Sequence, residues 1–94
     1  MRESKYIIII SESESSIIPF KIRVFPAYES HSAVFAELGV TREKLHSAGF
    51  ARKVAFDDPL TGTRRVQWVT GGCSHTLEAR ARSGDSDLLN TYLL

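Results

Sequence analysis

The sequence predicts an α+β domain: a mainly antiparallel sheet of about five strands with helices packed on one face, in the order β-β-α-α-β-β-β-α. Three observations carry this expectation. The apolar runs are short and rich in β-branched residues, beginning with Tyr6-Ile7-Ile8-Ile9-Ile10. Two stretches in the first half have the end residues of short helices, each closed by a glycine. From Cys73 to Arg82 small or apolar residues alternate with polar ones, a period of two.

Residues 6–10 do not alternate, so both faces of this strand must be buried, as in a central strand. The polar run SESESS over 11–16 is a loop. Phe20, Ile22 and Val24 then alternate with Lys21 and Arg23, which makes a half-buried strand, and Pro19 sets its start at an edge or at the strand entry. The two strands form a hairpin. Ser30 or Ser32 is the expected N-cap of a helix running to Leu38, with Gly39 as its C′ residue. A second helix is expected after Thr41, with Val40 and Leu45 as a hydrophobic staple and Gly49 as its stop.

Phe50 to Phe56 and Arg64 to Thr70 read as strands around the loop DDPLTGT. Pairing Phe56 with Arg64 sets Arg52 opposite Trp68. Gly71-Gly72 then reads as a two-residue hairpin loop that sets Trp68 opposite His75. Over residues 73–82 a helix competes with the strand, because the alanines and a Glu78–Arg82 pair suit it. The period of two favours the strand. Asp85 or Ser86 caps a last helix with Leu88, Leu89, Tyr92 and Leu93 apolar.

The bulk properties bound the function without naming it. A chain of 94 residues, 43% hydrophobic and 24% charged, fits one globular domain, residues 1–94. One cysteine fits a reducing, cytoplasmic setting. The run Tyr6–Ile10 is too short for a signal peptide or a membrane span. The net charge of +1 conceals a segment, residues 42–82, that holds eight basic and four acidic side chains. A local excess of this kind points toward an anionic partner but is below a nucleic-acid-binding composition.

Four sites are considered. Cys73 and His75 share a strand face about 6–7 Å apart, too far to pair without a bend, so Cys73 reads as a small buried residue beside a tight turn. His31, His46, Cys73 and His75 lack the spacing of a zinc site, and no metal or other cofactor is expected. In the expected register Arg52, Trp68 and His75 lie side by side and are the candidate grip for a carboxylate or phosphate. Lys53, Arg65, Arg80 and Arg82 on the outer face are the candidate contacts to nucleic acid, without aromatics beside them to stack bases.

The functional expectation is a small non-catalytic interaction module, an adaptor or inhibitor. Its partner is a protein or a second copy, met through the first hairpin, whose apolar strand is expected to lie partly uncovered. Nucleic-acid binding and small-anion binding are the alternatives.

Overall fold

The computed structural model describes residues 3–10 and 20–93. The SESESS run and Pro19 lie outside the described residues. The elements are β1 (Ser4–Ile10), β2 (Phe20–Pro26), α1 (His31–Leu38), β3 (Leu45–Asp57), β4 (Arg64–Gly71), β5 (Cys73–Ser74), β6 (Ala79–Arg80) and α2 (Asp85–Leu93). The main sheet is antiparallel with the order β2-β1-β3-β4, and β5 and β6 form a small second sheet. The fold is therefore α+β, as the sequence implies. Among the described residues no helix is long and apolar enough to cross a membrane.

β1 is central, and Tyr6, Ile7, Ile8 and Ile9 are all buried. Successive residues of a strand point to opposite faces, so each face receives half of the run. Ile7 and Ile9 pack with Val34 of α1, Phe25, Ala48 and Leu77. Tyr6 and Ile8 pack with Leu89 of α2, Ala51 and Trp68. The two helices thus lie on opposite faces of the sheet, which corrects the expectation that both cover one. A strand apolar on both faces demands this arrangement. It also removes the uncovered apolar strand on which an interface through the first hairpin was to rest.

α1 is bounded as its sequence directs. The Ser30 side chain accepts a hydrogen bond from the Ala33 N–H at 3.1 Å, and Gly39 adopts φ +67°. The second expected helix does not form. Only a 3-10 turn spans Arg42–Lys44, and Leu45–Asp57 is one strand of 13 residues. Pairing with β1 supplies this segment with a backbone ladder, interrupted only by a bulge at His46, which a two-turn helix lacks. Gly49 is not a helix stop. A Cβ there would sit 2.7 Å from the Gly71 carbonyl oxygen, so the glycine marks a close backbone approach within the sheet.

β1 pairs with β3 only as far as Ala51, and β4 pairs with β3 only from Phe50 onward. The first part of β3 therefore has one side unpaired by β4, and the β5–β6 arm lies there. Its Leu77 joins the α1 side of the core and its Ala81 the α2 side. The outer edge of β4 is covered differently. The Asn90 side chain of α2 accepts from the Trp68 N–H at 2.6 Å and donates to the Trp68 carbonyl at 3.1 Å. Ser86 Oγ accepts from the Thr70 N–H at 3.0 Å. The helix thus occupies backbone positions that a fifth strand would otherwise take.

Gly49→Ala is expected to cost about 1–3 kcal/mol, because a methyl group is driven against backbone rather than a mobile side chain. A urea titration reads this directly. An unchanged midpoint would mean that β3 and β4 can separate locally at no cost.

Candidate functional site

The polar centre of the molecule is Asp85, a fully buried acidic residue at the start of α2. Its Oδ2 accepts from the Tyr6 phenol at 2.5 Å and from the Arg82 backbone N–H at 2.9 Å. Among the described residues its Oδ1 has no hydrogen-bond partner, and His46 Nε2, cationic only when protonated, lies 3.8 Å away. The first turn of a helix is a favourable place for a carboxylate, since the unpaired N–H groups point toward it. Burial of the Tyr6 phenol, followed by its bond to Asp85 and the charge of that group, pushes its pKa far above the usual range.

His46 connects this buried carboxylate to the surface. Its ring lies 4.8 Å from that of Phe20, centroid to centroid. Its side chain also lines a cavity of about 270 Å³ with Arg42, Arg80, Arg82, Leu45 and Glu78. Each guanidinium is delivered by a different local feature. Arg42 stands in the 3-10 turn and donates to the Leu77 carbonyl. Arg80 belongs to β6, and Arg82 lies two residues beyond it in the segment that leads to α2. Among the described residues neither Arg80 nor Arg82 has an ion-pair partner. Glu78 is the one acidic side chain in the lining, and its φ of +52° sets it at the end of a turn. Burial, and then the Arg82 guanidinium, hold the His46 pKa below its ordinary value, while Asp85 opposes them.

The residues expected to grip an anion are not brought together. The β3–β4 register is one residue away from the expected one: Phe56 pairs with Arg65, Arg52 with Val69 and Lys53 with Trp68. A slip of one moves Arg52 to the face opposite Trp68. The cation over the indole is Lys53, 5.2 Å from the ring centroid. His75 does not face Trp68 either. Gly72 breaks the path with φ +78°, the chain turns over His75–Glu78, and Cys73 pairs with Arg80. The continuous strand over residues 73–82 is therefore corrected to two short strands around a turn. Ser74 Oγ accepts from the Leu77 N–H at 3.3 Å and helps close that turn.

The bend brings Cys73 Sγ within 3.8 Å of His75 Nε2, and Cys73 is exposed rather than buried. The four expected nucleic-acid contacts divide. Arg80 and Arg82 line the cavity with His46, Lys53 lies over Trp68, and Arg65 pairs with Asp58 at 3.2 Å on the other face of β4. His31 sits apart, buried between Phe25 and Phe50, with its Nε2 2.9 Å from the Gly49 carbonyl. Among the described residues no three His, Cys, Asp or Glu side chains gather as a metal site. Compared with protein-family models, curated proteins and solved structures, the chain matches none.

Two predictions follow from the buried polar groups. Tyr6→Phe leaves a buried carboxylate oxygen short of a donor and is expected to cost about 1.5–3 kcal/mol in a urea titration. The second concerns pH. His31 and His46 both have folded-state pKa values below the ordinary 6.5. The unfolded chain therefore binds protons first as pH falls, so stability is full above 6.5 and declines below it. Replacing either histidine by Gln is expected to flatten that decline in unfolding midpoints measured across pH. An equally steep profile in both variants would assign the loss to other groups.

Proposed function

We propose that the protein is a binding domain for a small oxyanion, a carboxylate or phosphate group, held between Arg42, Arg80, Arg82 and His46. The observation that supports this most directly is that four basic residues, Arg42, His46, Arg80 and Arg82, line one small cavity, with the buried Asp85 carboxylate behind His46. Arg42, Arg80 and Arg82 are exposed, so their mutual repulsion is modest, and an anion among them relieves it. Guanidinium forks match the oxygens of carboxylate and phosphate, and among the described residues none of the three carries a competing ion pair, though Arg42 also donates to the Leu77 carbonyl. The cavity volume of about 270 Å³ is at the lower bound of small-molecule sites, so the ligand is small or presents one charged group.

Asp85 has a structural part in this reading. It holds the Arg82 backbone and faces His46, so it positions two of the lining residues. It does not itself touch the anion. Glu78 acts against binding, because its charge lies in the same lining.

Isothermal titration of the full chain with phosphate, sulfate and citrate tests the proposal. Binding is expected to weaken about tenfold or more when Arg80 and Arg82 are both changed to Ala. Glu78→Gln is expected to tighten it, a direction that general damage to the fold does not produce. Silence of all three ions up to about 10 mM, a range that reaches very weak sites, would overturn the assignment.

A further inference from the structure

Apart from Trp68, which packs in the α2-side core and whose backbone Asn90 caps, the far part of the β3–β4 hairpin is unaccounted for by the core or by the arginine cavity. Among the described residues no other strand pairs with β3 beyond Ala51, so the strand partners of Arg52–Asp57 and Arg64–Val69 are each other. This is a two-stranded ribbon about 20 Å long at the ordinary strand rise. Its cations are distributed on both faces. Directly paired residues share a face, so Arg52 and Arg65 lie on one side, and Lys53 and Arg64 on the other. A surface that lies flat on a partner needs charge on one side only. A ribbon with cations on both sides fits between two negative walls.

The tip is built to hold its shape. The Asp58 N–H donates to the Thr63 carbonyl at 2.9 Å, the Gly62 N–H to the Asp58 carbonyl at 2.8 Å, and the Leu60 N–H to Asp58 Oδ1 at 2.9 Å. Gly62 supplies the positive φ, +67°, that the turn requires. The turn presents Pro59 and Leu60, and Leu60 is 93% exposed. Phe56 and Val66, near the tip, are also exposed. Of the two acidic residues, Asp58 is occupied by the turn and by Arg65, and Asp57 is the one that opposes an anionic partner.

We propose that this ribbon is an arm that enters the major groove of double-stranded DNA, its cations meeting the phosphates on either side and Leu60 contacting the groove floor. The major groove of B-form DNA is about 12 Å wide and admits a two-stranded ribbon, whereas the major groove of A-form RNA is deep and too narrow for side chains to read. Arg52, Lys53 and Arg64 have no ion-pair partner among the described residues and are the contacts expected to meet phosphate. Binding of this kind is non-specific in the main and depends strongly on salt.

The test is fluorescence anisotropy of the full chain with a labelled duplex of about 20 base pairs over a range of salt, with duplex RNA alongside. The expected result is binding to DNA in preference to RNA, with a log–log salt slope of about −3 for three phosphate contacts. The variant with Arg52, Lys53 and Arg64 all changed to Gln is expected to lose about tenfold or more in affinity and most of the salt slope. Leu60→Ser is expected to weaken binding severalfold with the slope unchanged. Three outcomes overturn the proposal: no binding at low salt, equal binding of duplex RNA, or undiminished binding by a folded triple variant. Loss of binding on changing Arg80 and Arg82 instead would transfer any DNA contact to the arginine cavity.

Discussion

The Tyr6 phenol and the Asp85 carboxylate meet across a separation of 79 residues, and their bond ties the central strand to the start of α2. A buried carboxylate is stable only where donors surround it. The fold supplies two of them to Oδ2, the phenol of β1 and the backbone N–H of the segment that leads out of β6, and it places the His46 imidazole of β3 3.8 Å from Oδ1. Each donor requires its own element to be in place. Docking of α2 against Trp68, the path of the β5–β6 arm, and the position of His46 are therefore coupled through one side chain. The arginine cavity inherits its geometry from this arrangement, because Arg80 and Arg82 are carried by the arm and His46 lines the opening.

Short-range information was legible in the sequence, and long-range information was not. The unbroken isoleucines over 7–10 implied a strand buried on both faces, and the structure has one. Ser30 and Gly39 bound α1 as their capping chemistry dictates. The same local logic failed at Gly49, where a glycine required for close sheet packing resembles a helix stop. It failed again at residues 73–82. There the alternating face of Cys73, His75, Leu77, Ala79 and Ala81 holds one large apolar side chain, and one turn stabilised by Ser74 is enough to divide the strand.

The candidate sites show the same limit. Arg52, Trp68 and His75 were joined by a chain of two register assumptions. The first broke because Asp57 extends β3 and pairs with Arg64, leaving a turn of Asp58 to Thr63. The second broke at Gly72. Arg80 and Arg82 were visible as a charged pair, but their companions were not. His46 had been placed on a helix and Asp85 at a helix cap, and nothing in the local pattern of either residue encodes a partner 39 residues away. Only the three-dimensional course of β3 and α2 makes them neighbours.

The amide of Asn90 imitates a peptide group: it satisfies both the donor and the acceptor of Trp68 on the outer edge of β4. α2 has nine residues, too few to persist as a helix in water without its docking surface. Its detachment would uncover the Trp68 edge and the apolar ring in a single step, while the other strands remain paired. Undocking of α2 would therefore open a second strand edge, in addition to that of β2, in a near-native state rather than by global unfolding.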